Sequence, residues 1–339
     1  MLVPLIAISC THNTHKNSTT NYYFDAVKGS DKNTGTNPDE PLKSLSFIRH
    51  LALKPGDSVL LKSGETFNDT LFISCRGDSA RPIVLGKYGG GTLPYIKGNG
   101  LQPQAVHVYN SEYFVIRDLE ISNIFSKSTD KIQGLLVELY NYGTGKDISI
   151  ENLYVHDIKG KLKDEDKGSG SAIAITNYRD NKTDKISSHF EGLVVQNCLI
   201  KDCDHGGISM WGNWERKRWN PSLHVVIRKN TIDGISGHGI VPVACEAPLV
   251  EYNVIKNAPQ LPRDPAGVDG IWPWSCDNAV VQYNVVSDTK SQWDAYSYDA
   301  DYNCRNSLFQ YNLSFNNIGG FLLVCNSGRF SDKIQREYQ

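Results

Sequence analysis

The stretch VVQNCLIK (194–201) is answered by VIRKNTID (226–233), VEYNVIKN (250–257), VQYNVVSD (281–288) and FQYNLSFN (309–316). Upstream, VIRDLEIS (115–122) and SIENLYVH (149–156) have the same form: a short β-rich run, a polar hinge, a second short run. With the hinge at Asp118, Asn152, Asn197, Asn230, Asn253, Asn284 and Asn312, the copies are 34, 45, 33, 23, 31 and 28 residues apart. A phrase that recurs at such intervals identifies a solenoid or a propeller. Fixed phrasing with variable gaps selects the parallel β-helix. Each coil adds short strands to long parallel sheets, and insertions leave through one turn. A turn Asn above the Asn of the next coil can then bond its neighbour's amide along the stack. Cys245, Cys276 and Cys304 each stand eight residues before a hinge Asn. That spacing predicts an interior file of small sulfur-bearing side chains.

Composition agrees with this reading. The 339 residues would suffice for two domains, but a solenoid accommodates them as one. An apolar share of 40% against 21% charged residues supports a large core and excludes a disordered chain. The formal charge of −2 lacks the basic surplus of a nucleic-acid binder. With 29 Gly, 17 Tyr and only 2 Met, the chain favours strands and turns over helices. No apolar run reaches the ~20 residues of a membrane span.

The ends carry separate signals. MLVPLIAISC (1–10) resembles the end of a bacterial lipoprotein signal, with Ala7-Ile8-Ser9 before Cys10, although no basic region precedes it. The resemblance implies export and a lipid anchor at Cys10 in the cell envelope or periplasm. Residues 1–20 would be signal and polar tether, and residues 21–339 one domain. The other seven cysteines are odd in number and have no zinc-type spacing, so packing is the expected role. Leu42, Leu45, Ile48 and Leu51 recur at helical spacing and predict a short amphipathic helix that caps the first coil. GRFSDKIQREYQ (328–339) is too short for an obvious second cap, which implies a small cap or a truncated solenoid.

Aligning the coils exposes a possible chemical column: HGGI (205–208), HGI (238–240), DGI (269–271), DAY (294–296) and GGF (319–321). If in register, His205, His238, Asp269 and Asp294 would form a file with neighbours ~4.8 Å apart. Crowded ionisable groups push one another's pKa values apart, which acid–base catalysis uses. Asp269 and Asp294 are therefore the candidate catalytic pair, with His238 and His205 orienting them. A pair on adjacent coils would stand ~5 Å apart, the retaining distance; a pair two coils apart would approach the inverting one. All six tryptophans lie between residues 211 and 293. Trp211, Trp272, Trp274 and Trp293, with Tyr298 and Arg305, are the candidate sugar-binding residues. Asp299 and Asp301 lie close in sequence to Asp294, and calcium is the cation such an oxygen cluster would take. The two-carboxylate reaction itself requires no cofactor. The basic trio Arg216, Lys217 and Arg218 offers a further contact for acidic sugars, against the simpler expectation of a solvated loop.

YYFDAVKGSDKNTGTNPDEPLKSL (22–45) and LKPGDSVLLKSGETF (53–67), with the repeats, resemble right-handed parallel β-helix proteins of the pectate-lyase-like superfamily. Gly237-His238-Gly239 is similar to a polygalacturonase motif, and Val268-Asp269-Gly270-Ile271 to the end of another. The order is reversed, the Asp-Asp pair is missing and no Arg-x-Lys follows. The resemblance thus implies a carbohydrate-active β-helix rather than a polygalacturonase. The leading expectation is an all-β, monomeric glycoside hydrolase that acts on a polysaccharide or oligosaccharide. The alternatives are a cation-assisted lyase of uronate-containing glycans and a non-catalytic surface glycan-binding protein.

Overall fold

Burial alternates along the strands of the phrase, as in Val194–Gln196 and Leu249–Glu251, so one face of these strands turns inward. The computed structural model describes residues 19–124, 132–160, 171–177, 185–258, 268–291 and 294–325. They wind into the predicted right-handed parallel β-helix. The first face is a ten-stranded sheet from Asn21–Phe24 to Leu308–Gln310, and the second a nine-stranded sheet from Thr66–Phe67 to Leu313–Phe315. The third has six strands from Leu71–Ile73 to Ile240–Val241. Single bridges through Ile271 carry it on to the paired strands Tyr296–Ala300 and Gly320–Val324. A short four-stranded sheet, Thr144–Lys146 to Cys245–Glu246, joins the third face back to the first.

The core is three files of stacked side chains. On the first face Ile116, Ile150, Val195, Ile227, Val250 and Val281 lie in register, all buried. The third-face file runs Val106, Leu135, Ile173, Ile208, Ile240, Ile271 and Tyr298. Truncating one such Ile to Ala costs about 2–5 kcal/mol. The Cys file forms as predicted: Cys245 and Cys276 are fully buried, and Cys304 is partly covered at the last coil. All seven cysteines among the described residues are free thiols.

The hinge divides into two columns, one residue out of step with the sequence alignment. Arg228 pairs with Gln196, so Asn230 stands above Cys198 and not above Asn197. Asp118, Asn152 and Asn197 belong to an outward column continued by Lys229, Tyr252, Tyr283 and Tyr311, every one in the left-handed backbone region. Asn and Asp adopt that conformation at low cost; the others bear a penalty of about 1 kcal/mol or more. The inward column is Asn230, Asn253, Asn284 and Asn312. There the side-chain oxygens of Asn253, Asn284 and Asn312 each accept the backbone N–H of the Asn one coil earlier at 2.9–3.0 Å, and that of Asn230 accepts the Cys198 N–H at 2.9 Å. Upstream the inward column is apolar, with Leu119 and Leu153 buried in that place.

The predicted amphipathic helix is a short 3-10 helix, Leu45–His50, whose Leu45 and Ile48 close the first coil together with Leu42. Residues 1–18, including Cys10, and residues 326–339, on which the expectation of a terminal cap rests, lie outside the described residues. Among the described residues, no helix is long and apolar enough to cross a membrane.

Candidate active site

The predicted file of His205, His238, Asp269 and Asp294 is partly out of register. His238 and Asp269 are paired, because Ile240 bridges Ile271. His205 stands one position earlier, opposite Gly237, because the Gly207 N–H donates to the His238 carbonyl. The sequence HGGI has one more Gly than HGI, and alignment on the His hid that step. The glycines themselves have a packing reason. A Cβ on Gly207 would stand 2.7 Å from the Gly239 carbonyl oxygen, and one on Gly270 2.5 Å from that of Ser297. The His-Gly and Asp-Gly pairs therefore record close coil packing as well as any chemistry.

Asp294 is displaced by a bulge. It bridges Val268, whereas Tyr296 stands opposite Asp269, so an extra residue enters at this coil. Asp294 and Ala295 are both left-handed, with φ of 58° and 61°. For Ala especially this stores strain, and bulges of this kind re-aim side chains beside active sites. The bulge leaves Asp294 exposed at the edge of the third face. Asp299 and Asp301 then leave the following strand on alternate positions of the same side.

Four carboxylates thus converge where the third face ends. Asp269 is 4% exposed, and its Oδ1 accepts the Tyr296 N–H at 2.8 Å. Burial pushes its pKa up to about 7, with the charges of Asp294 and Asp301 adding and the Tyr296 bond opposing. Asp299 is 3% exposed; burial, then Asp301, Asp269 and Asp294, lifts it to about 9. Burial also raises Asp301 and Asp294 above the usual carboxylate range. The four cannot all ionise together, so the cluster holds protons near neutral pH. Burial and the neighbouring His205 hold His238 down at about 3, which keeps that imidazole neutral.

The indoles form a wall beside the acids. Trp272 meets His238 edge to face at 4.6 Å, Trp214 stacks on Trp274 at 5.2 Å, and Trp211 meets Trp274 at 5.7 Å. They cover the outer side of Val241, Val243 and Ala244 as a second apolar cluster. Trp272 is mostly buried, while Trp211, Trp214, Trp219 and Trp274 are half-exposed. Trp293 lies outside the described residues. The loop after Trp211 is tied down by Arg216, which pairs with Asp277 at 2.6 Å and lies over the Trp219 ring. Arg218 pairs with Glu215. Arg216 is therefore structural here, while Arg218 is exposed on the loop.

One predicted sugar contact needs correction. Tyr298 is fully buried in the third-face file, and its hydroxyl reaches the Asn284 and Leu313 carbonyls at 3.0 Å. The bulge at Ala295 shifts the alternation by one and turns Tyr298 inward. The backbone of Arg305 bridges Asp277, past the corner that follows the acidic face. Cys325 is the neighbour sequence reasoning missed: its thiol meets Asp299 Oδ2 at 3.8 Å. No spacing rule linked it to the acids. It reaches them through the pairing of Gly320–Val324 with Tyr296–Ala300.

Asp299, Asp301 and Cys325 could together face one cation, their ligand atoms lying within 4.8 Å of one another. Two oxygens and a soft sulfur fit calcium poorly, because calcium takes six to eight oxygen ligands. The thiol is pushed up by burial and then by Asp299 and Asp301, which disfavours a thiolate ligand as well.

No family model matches the chain. The chain is similar to a lacto-N-biosidase of Bifidobacterium longum subsp. longum, 27% identical over 403 residues that cover 92% of this chain and 25% of that protein. It is also similar to the crystal structure of the GH136 lacto-N-biosidase of Eubacterium ramulus, with 30% identity and a TM-score of 0.79, covering 89% of this chain and 57% of that one. An alginate lyase from Paenibacillus sp. str. FPU-7 shares the fold at a TM-score of 0.50 and 16% identity, over 83% of this chain and 95% of that one. The chain thus spans 25% of the curated relative and 57% of the solved one.

Proposed function

We propose that this chain forms the catalytic face of a glycoside hydrolase of the lacto-N-biosidase type, acting as a monomer on an oligosaccharide laid along the third face. The observation that carries the reading is the meeting of four carboxylates of raised proton affinity at one bulged edge beside an indole wall. The similarity to two lacto-N-biosidases supports the sugar class.

Exposure assigns the roles. Asp294 is open to solvent and Asp301 half-open, so these two can touch a substrate. Asp269 and Asp299 are more deeply buried and hold protons of the cluster near neutral pH. In the two-carboxylate mechanism one of the outer pair protonates the glycosidic oxygen as the bond breaks, and the other acts at the anomeric carbon as nucleophile or through a water. Burial, with the charge of Asp294 adding at Asp301, raises the proton affinity of the outer pair. His238, neutral and against Trp272, offers a hydrogen bond without adding charge. The reaction so written needs no metal. By the same reading residues 1–20 direct export, and Cys10 carries a lipid that a Cys10→Ala variant would lack.

The test is product analysis on neutral and acidic oligosaccharides that include a lacto-N-bioside, with and without chelator. The expected result is a hydrolytic disaccharide product that chelation leaves unchanged. Asp294→Asn and Asp301→Asn should each lower kcat by about 10²- to 10⁴-fold. A chelator-sensitive unsaturated product would instead identify a lyase. Sugar binding that survives both substitutions, with no product, would identify a binding protein.

A further inference from the structure

Among the buried polar atoms beside the acids that have no hydrogen-bond partner are the indole Nε1 of Trp272 and Oδ1 of Asp299, with Nδ1 of His238 beside them. Trp272 is 7% exposed and Asp299 3%. An unpaired buried donor or acceptor costs about 1–3 kcal/mol, so such a pair at a candidate site points to a ligand that completes it. The two residues leave the third face from paired positions one coil apart, since Ile271 bridges Tyr298 and the Asp299 N–H donates to the Ile271 carbonyl at 3.0 Å.

We infer that Trp272 and Asp299 together hold one hydroxyl of the bound sugar and so determine which sugar is accepted. The inference rests on the glycoside hydrolase reading of the same site. A hydroxyl suits the pair chemically, because its oxygen accepts from the indole N–H while its hydrogen donates to the carboxyl. The two side chains leave the backbone at paired positions of neighbouring coils, ~4.8 Å apart, so both can flank one ligand group. His238 braces the indole edge to face. Cys325 occupies the other carboxyl oxygen of Asp299, which leaves Oδ1 for the ligand. Trp272 and Asp299 are thereby sugar-binding residues, distinct from the outer pair Asp294 and Asp301.

The test is a coupling cycle between Trp272→Phe, which keeps the ring and removes the donor, and monodeoxy analogues of a p-nitrophenyl lacto-N-bioside. On the parent compound Trp272→Phe should lower kcat/KM about tenfold. At one sugar position, deoxygenation should cost the wild type about as much and Trp272→Phe almost nothing more. Asp299→Ala should couple to that same position, and thermal midpoints check that both variants fold. If the two effects multiply at every position, or if the variants couple to different positions, the inference is overturned. If the wild type does not turn over the parent compound, the hydrolase reading fails by itself. The same cycle, read as Kd by calorimetry, then decides the inference: coupling at one position supports it, and uniform effects overturn it.

Discussion

Asn253 should be among the costliest polar residues to truncate, although it touches no substrate. Its Oδ1 accepts from both the backbone N–H and the Nδ2 of Asn230, each at 3.0 Å. Its Nδ2 donates to the Ile227 carbonyl at 2.9 Å and to Asn284 Oδ1 at 3.0 Å. Asn253→Ala removes all four bonds and strands the Asn230 amide in a fully buried coil. At about 0.5–1.5 kcal/mol per bond, the loss should be about 3–5 kcal/mol. Asn312→Ala, in the half-covered last coil, should cost about 1–3 kcal/mol. Asn197→Ala, in the outward column, gives up only tolerance of φ 56° and should cost about 1 kcal/mol. Solenoids unfold in steps, so urea denaturation should be paired with hydrogen exchange at the Asn230 amide, which reads the ladder locally. Equal losses at 253 and 197, or an unchanged exchange rate at that amide, would refute the two-column reasoning.

Other outcomes follow from the site. The raised carboxyl of Asp299 means the folded chain binds a proton that the unfolded chain releases at ordinary carboxylate pH. Its contribution is full below the unfolded pKa near 4 and is lost as pH rises toward about 9. Thermal midpoints should therefore fall from pH 5 to pH 9, and Asp299→Asn should flatten the decline; a steeper decline in the variant would contradict the assignment. Tyr298→Phe should lower stability by about 1–2 kcal/mol with KM unchanged, as steady-state kinetics beside urea melts can check. A raised KM at intact stability would return Tyr298 to the sugar site. Arg216→Met should loosen the loop after Trp211 and raise KM, because the Asp277 bond and the Trp219 contact both go, whereas the fluorescence of an unmoved indole cluster would speak against it.

The sequence by itself determined the coil. Alternating apolar residues in a repeated phrase can be satisfied only by stacking, so the parallel sheets, the Cys file and the first-coil cap were all legible. The acids and indoles were legible as a region for the same reason: insertions and aromatics gather where the coils leave room. What the sequence could not determine was register to within one residue. Asn197 and Asn230 occupy the same place in the phrase yet belong to opposite sides of the wall, because a one-residue slip inverts every side chain that follows. The same slip, made by the extra Gly after His205 and by the bulge at Ala295, broke the expected His–Asp file and turned Tyr298 inward. Only the tertiary structure brings Cys325 to Asp299 and leaves Asp294 and Asp301 open while burying Asp269 and Asp299. Those are contacts between coils, and the hydrogen-bond ladder that fixes them has no counterpart in any local run of residues.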